Sequence, residues 1–321
     1  MADGDIFVYL GGDQVVPDEI THAIIDPSVK TVRRRAFANR RRLVSVIFHD
    51  GVEIVEEEAF CNCRSLRRGI KLLGVKEIGD GAFLDCFALP GVEFGDKLET
   101  IGVEAFCGCH LLRSIKMPSV RIVRHQAFGH CRRLIEAEFG VNLETVGLNS
   151  FYNCSKLQRI AIPLNYDFFP RDPIENRYNQ FDECTNLTEV DLLERVHKTI
   201  SSLLLETWKD EMSEAIKRIN RQLPSSRRFE KANVIRLWIR SVINRLNHYK
   251  AKHNRLLKKH MTLLELAVWK AKLDERDDDS TQKVQATKRA KIDEDSIRKE
   301  KRITSGADII IKNVLPFLKL G

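Results

Sequence analysis

An Ala-Phe pair recurs at a nearly constant interval along this chain, and a constant interval admits few folds. The Phe positions are Phe37, Phe60, Phe83, Phe106, Phe128 and Phe151, with a weaker copy at Phe181, so the steps are 23, 23, 23, 22, 23 and 30 residues. Each Phe is followed six positions later by Leu: Leu43, Leu66, Leu89, Leu112, Leu134, Leu157 and Leu187. A fixed period in this range marks a repeat architecture, in which one unit cannot bury its apolar face alone and must stack on the next.

Counting from Phe as zero, position −8 is Val29, Val52, Val75, Leu98, Val120 and Leu143, and position −5 is Val32, Val55, Ile78, Ile101, Val123 and Val146. Position −1 is Ala in five copies and Ser150 in the sixth, and position +3 is Cys63, Cys86, Cys109, Cys131, Cys154 and Cys184, with Arg40 in the first copy. From −5 to +6 the apolar steps are three or four, which predicts a short helix. After +6 the period changes to two, as in Val92 and Phe94, Ile115 and Met117, or Ile160 and Ile162, which predicts a strand with one buried face. Pro118 and Pro163 close two of these strands. Residues 1–26, with Ile6 to Leu10 ahead of Gly11 and Gly12, read as a cap over the open end of the stack.

The repeat resembles the BspA-like class of leucine-rich repeats, whose pattern LxxIxxxAFxxCxxLxxIxIP is matched almost position for position by Ile122 to Leu134 and by Val146 to Pro163. The resemblance implies an α/β repeat solenoid of about seven leucine-rich repeats over residues 27–193, with a short strand and a short helix per repeat and a ladder of parallel strands. It also implies protein–protein recognition. Three departures stand out. Arg40 replaces the +3 Cys, Gly69 and Lys71 fall in strand core slots of the second repeat, and the last step carries an insertion, read as a loop over 164–179.

An α-helical C-terminal region follows. Residues 194–273 carry two long amphipathic stripes separated by Pro224, Ser225 and Ser226, and each stripe needs cover from the other, from the last repeat or from another chain. A charged linker is expected over 274–302 and an amphipathic helix over 303–321, folding back on the long helices. The stretch from the second stripe to the end looks like the ending of repeat proteins of this class in diatoms and related algae, a likeness that brings no activity with it.

Charge is distributed unevenly. Residues 227–302 hold 22 Lys and Arg against 11 Asp and Glu, a balance of +11, leaving −3 from the remaining 31 and 34 of the totals 53 and 45. Nucleic-acid association through these basic helices is therefore the alternative to a protein partner. Arg33 to Arg35 and Arg40 to Arg42 form a second basic patch. The N-terminus has no signal-peptide pattern and no segment is apolar enough for a membrane span, so the expected setting is cytoplasmic, with reduced cysteines and no membrane. Lys288, Arg289 and Lys291 fit a short nuclear-import pattern.

Catalytic motifs are missing from the sequence. Cys61 with Cys63 and Cys107 with Cys109 are spaced C-x-C rather than the C-x-x-C usual for zinc, and a repeat slot accounts for six of the eight Cys. His125 and His130 flank Phe128 but match no ligand motif. No catalytic, cofactor-binding or metal residue is assigned, and no enzyme is expected. Partner recognition is expected on the outward strand positions, two and four after each Leu. The charged residues there are Arg68, Glu93, Lys116, Glu136, Glu138, Arg159 and Asp191, and their mixed signs suit a protein surface better than a uniformly charged backbone.

Overall fold

The computed structural model describes residues 6–164, 179–193, 202–226 and 230–284, with side chains in the two long helices described over 207–226 and 230–271. The expected terminal helix, the import pattern and the body of the insertion lie outside the described residues. In chain order the strands are β1 (Ile6–Tyr9), β2 (His22–Ile25), β3 (Thr31–Val32), β4 (Ser45–Ile47), β5 (Ile54–Val55), β6 (Ile70–Leu72), β7 (Glu77–Ile78), β8 (Val92–Phe94), β9 (Thr100–Ile101), β10 (Ser114–Met117), β11 (Ile122–Val123), β12 (Glu136–Phe139), β13 (Thr145–Val146), β14 (Arg159–Ile162) and β15 (Glu189–Leu192). Two helices follow, α1 (Ser202–Gln222) and α2 (Lys231–Val284).

The strands form a parallel solenoid. The two-residue strands stack in the order β13-β11-β9-β7-β5-β3, while the longer ones form a second wall in three runs, β1-β2-β4, β6-β8 and β10-β12-β14-β15. Every pairing is parallel, and residues of one coil meet the residue 22 or 23 positions on, as Val32 meets Val55 and Ile115 meets Ala137, except at the two ends, where β1 meets β2 at 16 positions and β14 meets β15 at 30. The segment before the first repeat joins this ladder, because β1 pairs with β2 and β2 with β4.

The core is the repeat slots made continuous. The seven repeat residues Phe37, Phe60, Phe83, Phe106, Phe128, Phe151 and Phe181 are fully buried. Their rings stack coil on coil with centroids 4.8, 5.1, 5.1, 5.4, 5.4 and 5.6 Å apart. Tyr9 closes the N-terminal end of the column, its ring 5.2 Å from that of Phe37. Offset aromatic pairs contribute about 0.5–1.5 kcal/mol each beyond the area they bury, so the column gains with every added coil.

The short helix expected in each repeat is not formed. Residues around each Phe are turns, and the reason is backbone handedness. The residues at −2 and +2 hold positive φ in coil after coil: Arg35 at 57° and Asn39 at 63°, Glu58 at 54° and Asn62 at 61°, Gln126 at 53° and His130 at 59°. A right-handed helix cannot pass through two such residues four apart, because each costs about 1–2 kcal/mol and breaks the ladder. The backbone instead alternates its bonds. The amides of Ala36, Ala38 and Arg40 reach back three residues, whereas those of Arg35, Phe37 and Asn39 bond across to Glu57, Ala59 and Cys61 of the next coil. Half of the turn's bonds thus depend on a neighbouring coil, so one repeat cannot fold alone.

The second repeat corrects its own departure. Ile70 pairs with Val92, Lys71 with Glu93 and Leu72 with Phe94. One extra residue at Arg68 and Gly69 shifts the register, placing Ile70 and Leu72 in the core and Lys71 outside. Ile70, expected to face outward, is buried, and so is Ala161.

Beyond the repeats the chain divides into two compact units, Met1–Val196 with Asp210–Asn244, and His197–Lys209 with Arg245–Gly321. In the first, Ile219, Leu223, Ala232, Ile235 and Ile239 join the solenoid core. The last repeat therefore covers the near parts of both stripes. Asn220 Oδ1 accepts the amide of Val190 at 2.8 Å, and Trp238 Nε1 donates to the Ala215 carbonyl at 3.1 Å. In the second unit, Trp208 and Tyr249 meet edge to face at 5.6 Å. α2 continues to Val284, past the point near Asp274 where apolar periodicity ends.

Candidate recognition surface

The cysteine slot is structural. Each +3 thiol donates to the carbonyl of the Phe in the preceding coil: Cys63 to Phe37 at 3.1 Å, Cys86 to Phe60 at 3.2 Å, Cys109 to Phe83 at 3.4 Å, Cys131 to Phe106 at 3.3 Å, Cys154 to Phe128 at 3.1 Å and Cys184 to Phe151 at 3.0 Å. Burial pushes the Cys63 thiol up to about 12, and those of Cys86, Cys109, Cys154 and Cys184 well above their ordinary range. Cys107, outside the slot, is likewise pushed up to about 12 by burial. The thiolate is the nucleophile and the metal ligand, so these groups are inert at neutral pH. Among the described residues no group of three or more His, Cys, Asp or Glu is placed to hold a metal.

The ladder ends on a cation at each side. In the first coil Arg40 fills the Cys slot and donates to the carbonyls of Val16 and Ala38. At the other end Lys231, 2% exposed, donates to the carbonyls of Cys184, Thr185 and Leu187 at 3.0, 3.0 and 2.8 Å. Loss of solvent pulls the Lys231 ammonium below its ordinary value.

The outward side of the longer strands changes character along the stack. At the N-terminal end, Val8, Ile24 and Ile47 stand side by side in register, with Ile6 in the neighbouring row. Ile6, Val8 and Ile47 are 61%, 43% and 59% exposed. Further on the row is charged and paired across strands. Lys71 meets Glu93 at 2.9 Å and Lys116 meets Glu138 at 3.4 Å. Arg159 meets Asp191 at 2.7 Å and Glu136 at 3.7 Å. Hydrogen bonding to Glu93 raises the Lys71 ammonium above its ordinary value. Of the residues expected on this face, Glu93, Lys116, Glu136, Glu138, Arg159 and Asp191 lie on its strands, while Arg68 precedes β6 and Lys71 takes the place opposite Glu93.

Sequence reading missed the apolar row, because β1 and β2 were assigned to a cap. Their period of two, in step with Ile47, was the available signal. It also overstated the basic patch on the first coil. Arg33, Arg34, Arg35, Arg40 and Arg42 each face a carboxylate, of Asp13, Glu57, Glu58, Asp18 and Glu19 respectively.

The profile of the BspA type leucine-rich repeat region matches residues 17–119, 76–176 and 112–214, in six copies and over more than half of the chain. No curated protein matches it. Among solved structures it is similar to a leucine-rich repeat protein from Bacteroides ovatus, at 23% identity and a TM-score of 0.34 over 54% of this chain and 61% of that one. A leucine-rich repeat protein from Eubacterium ventriosum is similar at 22% identity and a TM-score of 0.40, over 52% of this chain and 40% of that one. A third, from T. pallidum, is similar at 19% identity and a TM-score of 0.32, over 59% and 69%. The chain thus spans 61% and 40% of the first two of these proteins. Its period, its Phe column, its thiol ladder and the profile agree, and the chain belongs to the BspA-type leucine-rich-repeat family.

Proposed function

We propose that this protein is a non-catalytic recognition module that binds a protein partner on the outward side of its longer strands. The observation that carries the reading is the row Val8, Ile24 and Ile47, held in register and left open beside a charged, cross-paired ladder. An exposed apolar patch bordered by polar groups marks a surface suited to a protein partner. Glu93, Lys116, Glu136, Glu138, Arg159 and Asp191 continue the face along the stack, and their charges set orientation more than affinity. Arg68, expected on this face, precedes β6 and lies off its strands. The free thiols support an intracellular setting.

The test is capture of partners by the full chain, with Ile47→Asp and with the triple reversal Glu93→Lys, Glu136→Lys and Glu138→Lys. Partners should be lost with the first and weakened by the second. Retention of every partner by both variants would refute the reading. Capture that instead follows the cations of α2 and falls steeply with salt would favour nucleic acid.

A further inference from the structure

A second surface lies on the edge of the solenoid between the Cys slot and the longer strands, where cations stand without carboxylates. Arg64, Arg67 and Arg68 hold this edge in the second coil. Arg113, in the fourth coil, and Arg132 and Arg133, in the fifth, hold it further along. All six are exposed, and none has a carboxylate partner among the described residues. The opposite edge behaves differently. There Arg34, Arg35, Lys76 and Arg121 are matched by Glu57, Glu58, Glu53 and Glu144 of adjacent coils. Cations that are neutralised elsewhere are left open here.

Between the two cationic groups the edge turns apolar. Phe87, Ala88 and Pro90 of the third coil and Leu111 of the fourth are partly exposed. Position +4 of successive coils reads Arg64, Phe87, His110 and Arg132. The Arg64 guanidinium lies 5.1 Å from the centre of the Phe87 ring, and His110 stacks on that ring at 4.7 Å with planes 3° apart. Asp85 sits one row away, at +2 of the third coil. From the second coil to the fifth the Phe column advances three steps of 5.1, 5.1 and 5.4 Å. The two cationic groups are therefore roughly 15 Å apart, a span covered by four to five residues of extended chain at about 3.3 Å each.

We propose that this edge docks an extended acidic protein segment carrying an apolar residue between two acidic groups. The acidic groups meet Arg64 and Arg67 at one end and Arg132 and Arg133 at the other, and the apolar residue lies against Leu111 and the open edge of the Phe87 ring. Charge complementarity selects an anionic partner. The apolar middle selects against nucleic acid, whose backbone charge is continuous and is best matched by uninterrupted cations. Base stacking is closed as well, because Phe87 already has Arg64 on one side and His110 on the other. This site is separate from the strand side and stands or falls independently of it.

The experiment uses the full chain and a labelled heptapeptide with two glutamate pairs flanking Ser-Phe-Ser, followed by fluorescence anisotropy. Binding should weaken by about tenfold or more with Arg64→Glu and Arg67→Glu together, and likewise with Arg132→Glu and Arg133→Glu. Serine in place of the central phenylalanine should also weaken it, and Ile47→Asp should leave it unchanged. These arginines have no carboxylate partner to lose, so thermal melting should stay near that of the parent chain and separate lost binding from lost fold. The proposal is overturned if the peptide does not bind, or if both arginine pairs can be reversed without effect. It is also overturned if duplex DNA competes as well as the peptide while the serine peptide binds equally.

Discussion

Replacing Lys231 by methionine tests how the C-terminal helices are held on the last coil. Lys231→Met keeps most of the side-chain length and removes the ammonium, and with it bonds of 3.0, 3.0 and 2.8 Å to the carbonyls of Cys184, Thr185 and Leu187. The Cys184 carbonyl retains the amide of Leu187 at 3.2 Å. Those of Thr185 and Leu187 lose the partner they have. The Leu187 carbonyl is buried and costs about 1–3 kcal/mol when left unsatisfied, whereas the part-buried Thr185 carbonyl can turn to water and costs less. Part of this is returned, because the variant no longer holds a cation out of water. The desolvation that pulls the Lys231 ammonium below its ordinary value is the sign of that penalty. The expected net loss is about 1–3 kcal/mol, a sizeable fraction of the stability of an ordinary domain. At about 2–4 °C per kcal/mol for a unit of this size, the melting temperature should fall by roughly 2–12 °C. Hydrogen exchange locates the effect. The Val190 amide, bonded to Asn220 Oδ1 of α1, should lose protection, while the Phe83 and Phe106 amides deep in the stack should keep theirs. A variant melting within about 0.5 kcal/mol of the parent chain, with Val190 still protected, would refute the reasoning. It would mean that desolvation cancels the three bonds and that apolar packing alone seats the helices.

Two further predictions concern the stack itself. A Cβ added to Gly140 would lie 1.8 Å from the Pro118 carbonyl oxygen, whereas one added to Gly91 would meet nothing within 4 Å. Gly140→Ala should therefore cost about 2–3 kcal/mol in denaturant unfolding, and Gly91→Ala should change stability by no more than about 0.5 kcal/mol. The thiols give a pH dependence. Burial raises Cys63 to about 12 and Cys86, Cys109, Cys154 and Cys184 well above their ordinary value, so above about pH 9 the unfolded chain releases protons that the folded chain retains. Stability should be level with respect to these groups below pH 8 and fall through the window from 9 to 12, by up to about 1.4 kcal/mol per pH unit for each thiol. Alkylation at pH 8 should leave the ladder cysteines unmodified until the chain unfolds; rapid labelling of the native chain would contradict their burial.

The period, the apolar slots and the obligation to stack were legible in the sequence, because each is a one-dimensional property. The Phe spacing survives in the column of rings, and the +3 Cys spacing survives in the thiol ladder. The alternation after each Leu marks strands such as β10 and β14. What the sequence could not decide lies in neighbours about 23 residues apart. Three- and four-residue apolar steps fit a helix as well as a turn, and only positive φ at positions such as Asn39 and Glu58, sustained by amide bonds to the adjacent coil, selects the turn. The Asn at +2 in Asn39, Asn62 and Asn153 was the one local hint, since Asn tolerates that conformation better than most residues.

Charge shows the same division. The sequence counts Arg33 to Arg35 and Arg64 to Arg68 alike as basic. The tertiary structure lays glutamates of the next coil against the first set and an aromatic ring against the second. Composition and period determined that this chain must be a stack with a Phe core and a repeated Cys slot. Register between coils decided where its charge is paired internally and where it is left open, because ion pairing acts over a few ångströms of space and takes no account of distance along the chain.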